Sequence, residues 1–217
     1  YYRFRFGSVI SPVGQTKTLP QRSDQVKFAV CSCSNYPAGY FHVYKEMALE
    51  SNLDVIIHLG DYIYEYGQGG YATDEAKQLG RTFAADNDKE IIKLDDYRKR
   101  YALYRTDADL QVAHQRHPFI VIWDDHELSN DTWEAGADNH QEDEGSFIER
   151  KLAALQAYFE WMPIRPVAEN DHLNIYRQFD FGGLVNLMML DTRILARHKQ
   201  LNYNDYMTAT GIDAVKF

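Results

Sequence analysis

Leu53-Asp54-Val55-Ile56-Ile57-His58-Leu59-Gly60-Asp61-Tyr62-Ile63-Tyr64-Glu65-Tyr66 is the stretch that decides the fold. Its first half is an almost wholly apolar run, as in a strand covered on both faces of an α/β sheet. The run breaks at Gly60, where a backbone without Cβ can turn tightly or approach a ligand closely. Asp61 follows at once. Open α/β sheets bind their ligands at the carboxyl ends of their strands. A carboxylate there is costly unless it is paired or bound to metal, so Asp61 is the first candidate site residue.

Two further runs have the same shape. Pro118–Trp123 leads into Asp124-Asp125-His126-Glu127, and Leu184–Leu190 ends in Asp191. Asp also favours the turns that follow strands, so each instance alone has a structural reading. Three strand ends bearing acid predict one shared polar site.

Composition bounds the rest. A chain of 217 residues can build a full domain core, and its 45% hydrophobic and 14% aromatic content argues against disorder. Sixteen tyrosines are many, and they gather near the acidic strand ends. The net charge of −9, from 23 basic and 32 acidic residues, counts against sequence-independent nucleic-acid binding. An anionic substrate would need local attraction, for which bound cations are the obvious means. No run of ~18 apolar residues is present, so no membrane span is predicted. The chain opens on Tyr1-Tyr2-Arg3-Phe4-Arg5-Phe6, with neither an initiator Met nor a signal peptide, and reads as a chain entered partway. The two cysteines, Cys31 and Cys33, are too close in sequence to staple distant parts of a fold.

Along the chain, residues 1–6 read as a strand and 7–25 as a linker. Val26–Ser32 reads as a first core strand and Tyr40–Ser51 as a helix, with Phe41, Tyr44, Met47 and Ala48 at helical spacing. A long loop from Gly60 to about Asn87 is expected to be functional or to have structure of its own. Leu94–Tyr104 and Asp107–Gln115 read as helices split near Thr106, and Gly145–Trp161 as a helix stopped by Pro163. Leu173–Phe181 and Leu184–Leu190 read as a hairpin joined at Gly182-Gly183. The expected class is α/β, with a mixed central sheet flanked by helices.

Cys33, Asp61, Tyr64 and Asp125-His126 all end or follow predicted strands. Carboxylate and imidazole suit hard to intermediate metals, and a thiolate or phenolate adds a strongly donating anion. Two carboxylates with a histidine can flank two metals that hold both oxygens of an in-line displacement, with a metal-bound hydroxide as nucleophile. Each residue also has a plainer reading. Cys33 fits a small buried residue and Tyr64 a core aromatic. Cys31 shares a face with Cys33 if the strand stays regular, yet fits a buried position better. Only one of Asp124 and Asp125 is expected to face the site. His58 reads as a satisfied core histidine. Arg193 fits either a salt bridge with Asp191 or a phosphate ligand. Gly-x-Ser-x-Gly, a phosphate loop and His-Glu-x-x-His are all absent.

The motifs resemble the PhoD-type alkaline phosphatases and phosphodiesterases, a branch of the calcineurin-like metallophosphatases. The likeness lies in Cys31-Ser32-Cys33-Ser34-Asn35-Tyr36-Pro37, Gly60-Asp61-Tyr62-Ile63-Tyr64-Glu65 and Trp123-Asp124-Asp125-His126-Glu127, and in Phe159–Arg165 and Leu190-Asp191-Thr192-Arg193. It implies a four-layer α+β fold and a site of one Fe3+ with Ca2+. By it, Cys33 and Tyr64 would ligate the iron, Asp61 would bridge the metals, and Asp125 would be a further ligand, with Asn130 a weaker candidate. His126 would contact the phosphate and serve as proton donor; Arg193, on its own phosphate-ligand reading, is the second candidate substrate contact. The substrate would be a small phosphate mono- or diester, and the location secreted or periplasmic.

The family's later His and Asp ligands have no counterpart after Asp191. Residues 1–25 are therefore expected to be the end of an N-terminal β domain plus linker. Residues 26–217 are expected to be the N-terminal part of the catalytic domain, incomplete on its C-terminal side and inactive alone. The rival readings are a metal-binding module without catalysis and a phosphodiesterase directed at polymers.

Overall fold

The computed structural model describes residues 1–169, 171–213 and 215. β1 (Arg5–Phe6) and β2 (Val9–Ile10) pair antiparallel, so the predicted first strand is one arm of a small hairpin that takes in part of the predicted linker. β3 (Phe28–Cys31), α1 (His42–Leu49) and β4 (Val55–His58) follow. The long loop holds one short helix of its own, α2 (Ala76–Leu79). Next come α3 (Leu94–Tyr104), α4 (Ala108–Arg116), β5 (Phe119–Val121) and α5 (Phe147–Trp161). β6 (Arg177–Phe181) and β7 (Val185–Met189) form the expected hairpin, and β8 (Met207–Thr208) with β9 (Gly211–Ile212) a second that the sequence reading missed.

Local chemistry sets the helix boundaries. Asp107 caps α4 by accepting from the Asp109 and Leu110 amides, both at 3.0 Å. Ser146 caps α5, and Asp96 reaches back to the Lys93 amide at the start of α3, at 3.0 Å.

The central sheet is β3-β4-β5 and wholly parallel. It is not mixed as expected, because the β6–β7 hairpin pairs only with itself and lies against the sheet instead of extending it. Phe181 packs edge-on to Phe28 at 5.0 Å, and the Arg177 guanidinium donates to the Val121 carbonyl. On the opposite face Tyr44 of α1 meets His58, and His114 of α4 stacks on Phe119. β4 lies between its two neighbours with all four residues buried, as its apolar run requires.

α3 and α5 pack together and onto the loops leaving β4 and β5, through Tyr101 against Tyr62 and Tyr158 against Trp123. No helix among the described residues is long and apolar enough to cross a membrane.

Candidate metal centre

The three parallel strands end side by side, and their exits carry the site. Gly60 sits at φ +109°, and a Cβ there would run into the Asp124 backbone, so the β4 and β5 exits touch. Cys33 (φ 61°), Asp61 (φ 55°) and Asp131 (φ 51°) all occupy the left-handed region that non-glycine residues rarely adopt. They are three of the four such residues described, which marks this corner as strained in the manner of functional sites. The Cys33 and Ser34 amides donate to the carbonyls of Gly60 and Asp61, at 3.1 and 2.8 Å, and hold the first two exits in register.

Asp61, Asp125 and His126 each offer a ligand atom, all within 4.8 Å of one another. Cys33 Sγ and Tyr64 Oη each lie 3.4 Å from Asp61 Oδ2. Three of the predicted ligands, Cys33, Tyr64 and Asp125, thus converge with His126 on the carboxylate of a fourth, Asp61. Asn130 is tied in by its backbone: its amide donates to Glu65 at 2.7 Å, and its carbonyl accepts from Asp138 and Asn139.

Cys31 is separate from Cys33. β3 ends at Cys31, the left-handed turn at Cys33 breaks the alternation, and Cys31 Sγ lies 3.8 Å from the Ile57 carbonyl. His58 is the satisfied core histidine expected, fully buried and 2.9 Å from Tyr44 Oη.

Asp191 stays out of the cluster. Its Oδ1 accepts from the Arg193 and Ile194 amides, both at 2.8 Å, and caps the turn. What the chain leaving β7 delivers is Arg193. Its guanidinium forks onto Asp124 at 2.5 and 3.1 Å and reaches Asp125 at 3.2 Å and Asp131 at 3.4 Å. It braces carboxylates, and Asp191 is not its partner. Of the Asp pair, Asp125 faces the cluster and Asp124 pairs with Arg193, as the alternation predicted.

Two buried carboxylates escaped the sequence reading. Glu127 accepts from the amides of Asp61 at 3.0 Å, Tyr62 at 2.5 Å and Asp124 at 2.9 Å, and so locks the two exits together. Glu65 accepts from His126 Nδ1 at 2.7 Å, and from the Asn130 amide and Asn139 Nδ2. Both stand inside the motif segments, each beside an apolar or aromatic residue, and that was the available signal.

The electrostatics follow from crowding. Asp61, Asp124, Asp125, Asp131, Glu65 and Glu127 surround two cationic groups, His126 and Arg193. Burial pushes Asp61 and Asp125 upward, and Asp124 adds to both. Burial and the Asp61 charge push Glu127 up to about 8, against the pull of its three amide donors. His126 is pushed up to about 9, because Glu65, Asp125 and Asp61 outweigh burial. Burial, then Asp61 and Cys33, raise the Tyr64 phenol well above its ordinary value. Bound cations would relieve every one of these oppositions, and thiol, phenol, carboxylate and imidazole are a donor set suited to them.

A family model described as PhoD-like phosphatase matches residues 28–214. The chain belongs to the PhoD-like phosphatases. It is 44% identical over 198 residues to alkaline phosphatase D of Bacillus subtilis (strain 168), a match covering 89% of this chain and 33% of that protein. A solved structure described as "Structure of PhoD" superposes with a TM-score of 0.79 at 42% identity, covering 92% of this chain and 38% of that one. The chain thus spans about a third of the length of these PhoD relatives.

Proposed function

We propose that the strand exits form a metal-dependent phosphoesterase site that hydrolyses phosphate mono- and diesters. The observation that carries this is the convergence of Asp61, Asp125 and His126 within 4.8 Å, inside a chain of the PhoD-like family. Cys33 and Tyr64 would hold Fe3+, Asp125 and more weakly Asn130 would hold Ca2+, and Asp61 would serve both. When bound, such cations supply an acidified water as nucleophile and counter-charge for the phosphoryl oxygens. Asp61, with Cys33 Sγ and Tyr64 Oη at 3.4 Å, would be the anionic ligand common to both cations. His126, its Nδ1 hydrogen held by Glu65, presents Nε2 to the phosphoryl group and passes a proton to the leaving oxygen. Arg193 keeps Asp124 and Asp125 aligned, and any phosphate contact it makes is secondary to that. A secreted or periplasmic location, tested by fractionation, goes with this reading.

Metal analysis of the full-length protein that carries these residues, together with a panel of mono-, di- and polymeric esters, tests the proposal. Iron and calcium should co-purify, small esters should turn over, and chelation should abolish turnover. Bound metal with no hydrolysis of any ester would favour a metal-binding module. Preference for polymers would favour the other rival, against which the carboxylate-rich surroundings count.

A further inference from the structure

A cleft of about 360 Å³ opens beside the centre and meets it at Cys33 and Tyr64. Its wall is aromatic. The outer ring is Tyr71, 61% exposed, which stacks on Tyr64 at 6.0 Å and 21°. Tyr64 in turn stacks on His126 at 4.2 Å and 27°, so three rings run from the surface to the site. Tyr40, also exposed, forms a further part of the wall, and Ser32 and Asn35 add neutral polar groups.

Among the described residues, no Lys, Arg, His, Asp or Glu lines the cleft, in a chain one quarter charged. The contrast with the carboxylates on the other side of Asp61 is sharp. An organic group entering the cleft finds ring faces and neutral polar edges. An additional anionic group would find no cation on the cleft's surface, since Arg81, behind Tyr40 and Phe41, is buried and paired with Asp107.

We propose that this cleft seats the organic part of the phosphate ester, and that it selects an uncharged, ring-bearing alcohol over one carrying a further negative charge. The inference rests on the phosphoesterase reading above. Flat apolar faces gain from offset stacking on Tyr71, whereas a desolvated anion gains nothing there. Tyr71 is the outer, exposed member of the wall and touches the centre through its stack on Tyr64.

The test compares kcat/KM of the metal-loaded, full-length protein on benzyl, 4-carboxybenzyl and ethyl phosphate. The first two differ by one remote charge at similar leaving-group chemistry. Benzyl phosphate should lead 4-carboxybenzyl phosphate by about 10-fold and ethyl phosphate by about 5-fold. Tyr71→Phe should keep these ratios. Tyr71→Ala should bring benzyl and ethyl close to equal, and Tyr71→Lys should raise 4-carboxybenzyl relative to benzyl. Equal wild-type rates on benzyl and ethyl phosphate, or ratios untouched by Tyr71→Ala, would overturn the cleft's role while leaving the phosphoesterase reading standing. No turnover of any ester would sink both.

Discussion

Glu65 Oε2 accepts the Nδ1 hydrogen of His126 at 2.7 Å, and this one contact fixes which face of the imidazole meets the site. An ionised carboxylate can only accept, so Nδ1 carries the hydrogen and Nε2 is left for the centre. Glu65 is itself held by the Asn130 amide at 2.7 Å and Asn139 Nδ2 at 2.9 Å. Burial opposes its charge, but His126 and these donors outweigh burial and hold it below the usual carboxylate range. Asn139 is anchored in turn, since its carbonyl accepts from Arg150 at 2.9 Å. A chain of contacts thus runs from α5 to the imidazole.

Glu65→Gln should lower kcat by about 10- to 100-fold, the range for losing a carboxylate that orients a site histidine, with KM nearly unchanged. Steady-state kinetics and a thermal melt check it. A variant that melts early but keeps its kcat would show that Glu65 only supports the fold.

Much of this site was legible because its residues stand where apolar runs stop. Asp61 and Asp125 follow β4 and β5, and a run needing burial on both faces predicts both strand and strand end. What a run cannot show is its neighbour. The β6–β7 hairpin stands apart where a mixed sheet is expected, because period-two alternation gives a strand's faces and not the partner of its edge. Glu65 and Glu127 were passed over because their roles depend on amides and a ring that approach from other segments. Asp191 was misread for the opposite reason: it has the right local pattern, but its hydrogen bonds close on its own turn.

Asp61→Asn removes the carboxylate to which Cys33, Tyr64 and the His126 amide all point. Metal content should fall and activity should drop by orders of magnitude. The metal-free protein should be as stable as wild type or more so, because a buried anion is gone. Metal analysis, kinetics and denaturant melts check all three. Near wild-type turnover would contradict a shared-ligand role.

Cys33 and Tyr64 should give the loaded protein a ligand-to-metal charge-transfer colour. Tyr64→Phe keeps the ring packed between His126 and Tyr71 yet should shift or bleach the band and weaken iron retention. Cys33→Ser should act likewise. Cys31→Ser should leave the band in place, since burial pushes the Cys31 thiol up to about 11 and it lies on the sheet's helix side. A band lost with Cys31 but kept without Cys33 would reverse the assignment.

Arg100 is fully buried and donates only to neutral acceptors: the carbonyls of Tyr64, Tyr66, Asn87 and Lys89, and Asn87 Oδ1. It thereby pins the two ends of the long loop together and sets the backbone on both sides of Glu65. Lysine has neither the fork nor the number of donors to replace it. Arg100→Lys should destabilise by about 3 kcal/mol or more, leaving buried carbonyls unpaired. Hydrogen exchange should speed at Gln68 and Ile91, whose amides close the same loop onto Asp88 and Glu65. Unchanged melting and protection would remove Arg100 from this role.

Acid should unfold the protein partly through two histidines buried in neutral form. Burial, helped by the Arg105 charge, pushes His58 down to about 3. Burial, Arg105 and His58 push His114 well below its ordinary value. In the unfolded chain each takes a proton near pH ~6.5. Between that pH and about 3 the unfolded state therefore binds a proton at His58 that the folded state excludes, so stability falls as pH falls through this window. Above pH ~6.5 both states are neutral and the contribution is nil. Crossing the whole window would remove roughly 5 kcal/mol through His58 alone. His58→Gln, which keeps a polar partner for Tyr44, should lose some stability at pH 8 but flatten the slope from about pH 6 to 4. Urea titrations across that range measure the slope in both proteins. An identical slope would show that His58 takes up its proton without unfolding.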